Sequence, residues 1–170
     1  AMEADARKES DWERVASAAL DKFGAIHAVM NNAGVGGGGS SGPIEEQSAE
    51  DWRWTIDVNL MGVVFGVKTM VPHIKEAGGG WILNVASMAG MNGFPFGGAY
   101  NATKLAVAGL SEGWAMELAP SGIQVATLCP GFVKTRIYLS DRVRPSDYDA
   151  SHRELVMSDE DLDQETMSVG

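Results

Sequence analysis

The sequence of 170 residues has only one cysteine, Cys129. A single cysteine excludes an internal disulfide and favours a reducing compartment, so we expect a cytoplasmic protein. Cys129 ends an apolar run, and we interpret it as a packed small residue rather than a nucleophile. Long apolar runs are lacking too: none approaches the length of a membrane span, and residues 1–5 do not begin a signal peptide. We therefore expect no membrane partner.

Basic residues are also few. There are 13 lysines and arginines against 23 aspartates and glutamates, a net charge of −10. Nucleic-acid binding depends on neutralising phosphates with lysine and arginine, so this balance argues against a nucleic-acid partner. The excess of acid is concentrated in residues 146–170, which hold eight acids and one arginine. The histidines His27, His73 and His152 have no partners at ligand spacing, so we predict no metal site.

The length and the apolar fraction of 45% fit a single domain over residues 1–170. Within it, helical patterns alternate with short apolar runs that contain β-branched residues. This alternation predicts right-handed crossovers and a parallel α/β sheet with helices on both faces. The predicted helices are 11–23, 48–77 with an interruption at Pro72, and 100–118, and the predicted strands are 26–30, 81–86 and 123–128.

Three parallel strands make a thin sheet for helices of this length. The doubly wound, Rossmann-type fold has two such halves, and its phosphate-binding fingerprint lies in the first strand–helix turn. The glycines of residues 36–42 lack that strand–GxGxxG–helix context and indicate a flexible loop. We infer the second half of a Rossmann-type doubly wound sheet, with the glycine-rich N-terminal half absent from this chain.

Tyr100 and Lys104 are four residues apart on a predicted helix, which places them on one face and one turn apart. A tyrosine acting as a base near neutrality needs its pKa lowered by about three units, or roughly 4 kcal/mol. One cation about 4 Å away at an effective dielectric of about 20 is worth that much. Ser87, after the preceding strand, could hold a substrate oxygen against the phenol. The alternative without catalysis is that Tyr100 stacks on Phe94 or Phe96, that Lys104 is a solvated charge, and that Ser87 only caps a turn.

Three further motifs accompany this pair: Asn31–Gly34 after the first predicted strand, Asn59 within the long apolar helix, and residues 130–135 after the third strand. In this order and spacing, up to about Arg136, the sequence resembles the short-chain dehydrogenase/reductase family. The resemblance implies hydride transfer between NAD or NADP and an alcohol or carbonyl. Which of the two cofactors is used would be decided at a strand end that this sequence does not contain.

The resemblance implies roles for the four residues expected to carry the chemistry. Tyr100 would be the acid–base, and Lys104 would lower the tyrosine pKa and hold the nicotinamide ribose. Ser87 would hydrogen-bond the reacting oxygen. Asn59 would hold a water behind the lysine, although a core amide bonded only to backbone remains the alternative.

The resemblance also implies which residues line the cofactor. Asp5 would lie beside the adenine, and the segment after the third strand would lie against the nicotinamide carboxamide, with Thr135 donating a hydrogen bond. Asn and Gly after the first strand also suit a simple turn, so both interpretations hold there. Besides Tyr100 and Lys104, the predicted cofactor-binding residues are Asp5, Asn32, Ala33, Gly34, Pro130, Gly131, Val133 and Thr135.

Apolar side chains after Ser87 and beyond Thr135 predict an apolar substrate pocket, although an ordinary core is the alternative. Residues 136–170 are the predicted lid, or else simply solvated surface. The stretch 142–148 loosely resembles family members that act on bulky, apolar secondary alcohols and ketones. The predicted pocket residues are Ser87, Met88, Met91, Phe94 and Tyr138.

The leading functional hypothesis is an NAD(P)-dependent alcohol dehydrogenase or carbonyl reductase for a hydrophobic secondary alcohol or ketone. The alternatives are a non-catalytic binding or scaffold subunit of the same fold, and half a site that binds no cofactor alone. The helices 48–77 and 100–118 carry apolar residues on more than one face, including Trp52 and Leu110. We therefore expect a homodimer or homotetramer formed through these helices, as the family resemblance also implies.

Overall fold

The computed structural model describes residues 1–36 and 41–148. These residues form one three-stranded parallel sheet and four α-helices. Most of the predicted loop 36–42, His152 and residues 149–170 of the predicted lid lie outside the described residues. The elements are α1 (Glu9–Phe23), β1 (Ala28–Asn31), α2 (Ala49–Ile56), a π-helical turn (Asp57–Met61), α3 (Gly62–Glu76), β2 (Gly80–Val85), α4 (Gly98–Leu118) and β3 (Ile123–Leu128).

The strands run parallel in the order β1-β2-β3, so each strand pairs with its neighbour along the chain. Asn31 is in register with Asn84, and Val85 with Leu128, which brings the three carboxyl ends to one edge of the sheet. The predicted α/β class with a Rossmann-type parallel sheet is confirmed.

The helices α1, α3 and α4 all pack on the same face of the sheet. Asn84 donates to Ser111 of α4 (2.9 Å), and a Cβ added to Gly66 of α3 would collide with Asn31 and meet Trp12 of α1. Right-handed crossovers that step in one direction across a sheet place their helices on one face. We expected helices on both faces of the sheet. In the described residues, the helices cover one face only.

The opposite face of the sheet is uncovered within the described residues. Side chains alternate between the two faces of a strand, so the residues that point away from the helices are solvent-accessible. Met30 is 54%, Trp81 55% and Leu128 46% exposed. The prediction of a buried first strand is wrong for Met30, because no helix of the described residues packs over it.

A buried polar network fixes the sheet to α4. Asn31 donates to the Asn84 amide oxygen (2.8 Å), Asn84 donates to Ser111 (2.9 Å), and Ser111 donates to the carbonyl of Val107 (2.7 Å). Each of these donors is buried in the apolar core, where an unpaired polar group would be costly. The first asparagine of the Asn31–Gly34 motif therefore links β1 to β2, and through Asn84 to α4.

The helical stretch Ala49–Glu76 continues through Pro72, so the predicted interruption at this proline is wrong. Pro72 is exposed and lies near the C-terminal end of α3, where its missing N–H costs one hydrogen bond. The irregularity lies instead at the π-helical turn, where the Gly62 N–H bonds to the Asp57 carbonyl. By length and composition this stretch could cross a membrane. It packs against the sheet through Val67 and Ile74, which accounts for its apolar character.

Candidate active site

A cavity of about 730 Å³ opens at the carboxyl ends of β2 and β3. Ligands of open α/β sheets bind at this edge, and the volume is within the range of small-molecule sites. The segments that follow the two strands form its walls, because parallel strands deliver their next residues to the same edge. Ser87 after β2, Gly131 after β3, and Tyr100 and Lys104 from the first turns of α4 all line it.

Tyr100 and Lys104 lie together in this cavity, as their spacing predicts. The Lys104 ammonium nitrogen lies 5.6 Å from the centroid of the Tyr100 ring. Lys104 is only 4% exposed, and its Nζ donates to the carbonyl of Val85 (3.0 Å). Burial disfavours the charged form and lowers the pKa of Lys104 to about 8.

Ser87 stands where β2 has ended, in an extended conformation before a short 3₁₀ turn, Met88–Gly90. Its Oγ accepts a hydrogen bond from the N–H of Ala89 (3.2 Å). Ser87 therefore caps the turn, as one of the two interpretations from the sequence predicts. Because the Oγ acts as an acceptor in this bond, the hydroxyl proton can still be donated toward the cavity.

Asn59 lies in the π-helical turn and is fully buried. Its Oδ1 accepts from the N–H of Val35 (2.8 Å), and its Nδ2 donates to the carbonyl of Val35 (2.9 Å). The side chain thus fastens the loop after β1. Its Nδ2 also donates to Thr103 Oγ1 (3.5 Å), so Asn59 is not bonded to backbone alone. A Cβ added to Gly34 would lie 3.5 Å from Asn59 Oδ1 and 3.6 Å from Lys104 Nζ, so a narrow space separates the amide from the ammonium.

Most of the predicted cofactor-binding residues line the same cavity, on the β1 and β3 sides. Asp5 and Ala33 do not. Asp5 instead accepts hydrogen bonds from Arg7 Nε (2.9 Å) and Nη2 (2.6 Å), and this contact with Arg7 lowers the pKa of its carboxyl. Its contact with an adenine stays a prediction. The predicted residues that line the cavity are Asn32, Gly34, Tyr100, Lys104, Pro130, Gly131, Val133 and Thr135.

Ser87, Met88 and Phe94 of the predicted substrate pocket also line the cavity, whereas Met91 does not. Met91 is 66% exposed, because the loop after Ser87 carries it outward. The backbone of Tyr138 lies in a 3₁₀ turn, and its side chain is outside the described part of the chain.

Some lining residues are not named individually by the sequence analysis. They are Asn101 beside Tyr100 and several residues after β3 that fall within the predicted segment 130–135 or the predicted lid 136–170. Position beyond a strand end in an α/β sheet is the signal that could have found them. These residues are Asn101, Phe132, Arg136, Ser140, Arg142 and Val143.

A family model described as short chain dehydrogenase matches residues 1–144. The chain belongs to the short-chain dehydrogenase family. It is 40% identical over 131 residues to a 3-alpha-(or 20-beta)-hydroxysteroid dehydrogenase of Mycobacterium bovis, covering 77% of this chain and 49% of that protein. It is 41% identical over 135 residues to a cyclohexanol dehydrogenase of Acinetobacter, covering 79% and 53%. This chain thus spans about half the length of these relatives.

Solved structures of the family share this fold. A short-chain dehydrogenase/reductase from Burkholderia phymatum in complex with NAD superposes with a TM-score of 0.86 at 34% identity, over 99% of this chain and 60% of that chain. A 3-ketoacyl-(acyl-carrier-protein) reductase from Brucella melitensis complexed with NADH gives a TM-score of 0.75 at 35% identity, over 81% and 57%. The predicted family is confirmed.

Proposed function

We propose that this protein is an NAD(P)-dependent oxidoreductase that interconverts a secondary alcohol and its ketone. The observation that carries the proposal is the convergence of Tyr100, Lys104 and Ser87 on one cavity at the carboxyl edge of the sheet. Family membership supports the reaction class, and solved relatives complexed with NAD or NADH support the cofactor.

The cavity suits a nicotinamide cofactor. Gly34 and Gly131 expose backbone at its walls, and Lys104 supplies a buried cation beside Tyr100. Asn32, Lys104 and Thr135 would hold the cofactor, with Asp5 near its adenine end. When bound, the nicotinamide accepts or supplies the hydride.

The remaining chemistry belongs to side chains of this chain. Tyr100 would take the hydroxyl proton of the alcohol in oxidation and return it in reduction. Lys104 would favour the phenolate by its charge. Ser87 would donate its proton to the reacting oxygen while its Oγ stays bonded to the Ala89 N–H, which fixes its position. Asn59, beside Gly34 and Lys104, would support a water path to solvent.

We propose that the substrate is bulky and largely apolar. Met88, Phe94, Phe132 and Val143 line the cavity, so polar groups on a substrate would find few partners on that side. The hydroxysteroid and cyclohexanol dehydrogenases among the relatives are named for alcohols of this kind. Residues 136–170 would form the lid, of which residues 136–148 are described.

We also propose association through the predicted helix 48–77, which comprises α2, the π-helical turn and α3, and through α4, which would give a homodimer or homotetramer. Leu105, Leu110 and Met116 of α4 are 43%, 38% and 76% exposed, which is a large apolar area for one helix. Light scattering at micromolar concentration tests this, and a monomer would contradict it.

The reaction is tested by following NADH or NADPH absorbance when the protein is mixed with NAD⁺ or NADP⁺ and cyclohexanol or a hydroxysteroid. Turnover that falls by roughly a hundredfold in Ser87→Ala supports the proposal. Ser17→Ala, at an exposed position of α1, is the matched control and should keep full activity. Wild-type turnover in Ser87→Ala would contradict the assigned role of Ser87.

A second candidate is that the chain contributes half of a cofactor site and binds no cofactor alone. The uncovered apolar sheet face, with Met30 and Trp81 more than half exposed, favours this alternative. Titration with NADH, followed by its fluorescence, separates the two. Saturable binding supports the leading proposal, and its absence together with absent turnover supports the second.

A further inference from the structure

One wall of the cavity is formed by a segment that lies far along the chain from the elements it contacts. We call residues Ile137–Tyr148 the wall segment. Its residues Ile137, Ser140, Arg142 and Val143 line the cavity opposite the strand ends. Because it consists of a 3₁₀ stretch, Ile137–Val143, followed by turns, and much of it is exposed, its position must be fixed by specific contacts rather than by a continuous core.

The contact that fixes its centre is a buried ion pair between Arg144 and Asp51. Arg144 Nη2 donates to Asp51 Oδ1, across 93 residues of sequence. The side chains are 7% and 1% exposed, respectively. The guanidinium carbon also lies 4.3 Å from the centroid of the Trp54 ring, and Arg144 Nε donates to Asp141 (3.2 Å). The arginine is thus held by charge, by ring stacking and by its own segment.

Asp51 is also held in place by contacts within its own helix. It lies in the first turn of α2, where its N–H donates to the Oγ of Ser48 (3.0 Å) and its Oδ2 accepts from the same hydroxyl (2.5 Å). A carboxylate is favoured at a helix N-terminus. The helix α2 packs against α4, which carries Tyr100, so Asp51 is fixed relative to the catalytic face.

Two further contacts hold the ends of the wall segment. The N–H of Gly36 donates to Ser140 (3.0 Å), and Tyr148 donates to Asp57 (2.6 Å). Between these ends, Arg144 is the direct neighbour of Val143, and Arg142 is one residue further. Displacement of Arg144 would therefore move both cavity-lining side chains.

We propose that Arg144 and Asp51 are positioning residues for substrate binding, through their hold on Val143 and Arg142. This inference rests on the proposed function for its substrate. Removing one partner takes from the remaining buried charge its ion pair across the two segments, although Arg144 keeps its bond to Asp141 and Asp51 keeps its bonds to Ser48. The segment then loses its tie to α2 and should leave its position. A misplaced cavity wall weakens binding of the substrate more than it changes the groups that perform the chemistry.

The test compares Asp51→Asn and Arg144→Met with a control, Arg53→Met, which breaks an exposed ion pair to Glu50 on the same helix. In steady-state assays with cyclohexanol or a hydroxysteroid, the two test variants should raise the substrate KM by roughly tenfold or more. The kcat and the KM for NAD(P) should change much less, and Arg53→Met should behave as wild type. An unchanged substrate KM, or an equal rise for substrate and cofactor, would overturn the proposal.

Hydrogen exchange provides a readout that does not depend on turnover. In both test variants, amides of Ile137–Tyr148 should exchange at least about tenfold faster, while those of Gly98–Leu118 should not change. Faster exchange in both regions would indicate general unfolding. Unchanged exchange in the wall segment would indicate that the Arg144–Asp51 pair does not hold the segment in place. Either result overturns the proposal. If the wild type shows no turnover, the proposed function fails. Hydrogen exchange still decides whether the Arg144–Asp51 pair holds the wall segment in place.

Discussion

The ammonium nitrogen of Lys104 lies 3.0 Å from the carbonyl oxygen of Val85, to which it donates. Val85 is the last residue of β2, two residues before Ser87. The contact therefore links the face of α4 that carries Tyr100 to the strand end that precedes Ser87. It also keeps the Lys104 side chain buried, with its ammonium over the Tyr100 ring.

Burial of Lys104 predicts a pH-dependent stability. Its pKa falls from 10.5 to about 8 on folding, so between these pH values the unfolded chain binds more protons than the folded chain. Stability should therefore rise with pH across this window. In chemical denaturation, the free energy of unfolding of wild type relative to Lys104→Met should increase by about 3 kcal/mol from pH 8 to about 10.5. Titrating groups that do not interact with Lys104 cancel in the difference, and a flat or falling difference would contradict the assigned burial.

The space between Asn59 and Lys104 predicts the effect of Gly34→Ala. The added methyl would meet Asn59 Oδ1 and Lys104 Nζ at ordinary contact distance, so stability should change by less than about 1 kcal/mol. It would fill the space proposed for the water path, and kcat should fall by roughly tenfold. Gly113→Ala, where an added Cβ meets nothing within 4 Å, should keep the wild-type kcat. Equal kcat in both variants would argue against a water at this position.

Phe96 predicts a stabilising substitution. It is the only non-glycine residue of the described chain with positive φ, at 63°, and its side chain is 65% exposed. A left-handed conformation strains a residue with a Cβ, whereas glycine adopts it freely. In thermal or chemical unfolding, Phe96→Gly should therefore raise the free energy of unfolding by about 0.5–1 kcal/mol. Phe94 does not have a positive φ, so Phe94→Gly should lower the free energy of unfolding. A loss of stability in both variants would contradict backbone strain at Phe96.

Local sequence patterns were sufficient for the elements that place the site. The strand predicted at 123–128 matches β3, and the helix predicted at 100–118 begins two residues before its expected start. Apolar periodicity and glycine at the ends fix such elements, because each signal lies within one turn or a few strand residues. The sequence also predicts that Ser87, Tyr100 and Lys104 lie at the cavity, because position beyond a strand end or within one helical turn is a local property.

What the sequence did not reveal depends on long-range contacts. Nothing near Asp51 or Arg144 indicates that two residues 93 positions apart form a buried pair. The π-helical turn at Asp57–Met61 has no recognised residue signature, so the sequence predicts the irregularity at Pro72 instead. Met30 has the pattern of a buried strand residue, but its exposure is decided by which face the helices cover.

The acid–base role of Tyr100 is tested most directly by the single-turnover rate of alcohol oxidation in Tyr100→Phe, which removes only the phenolic oxygen. The rate should fall by roughly two to four orders of magnitude, while the NADH affinity measured by titration should change much less. A Tyr100→Phe protein that oxidises the alcohol at the wild-type rate would contradict the proposed mechanism.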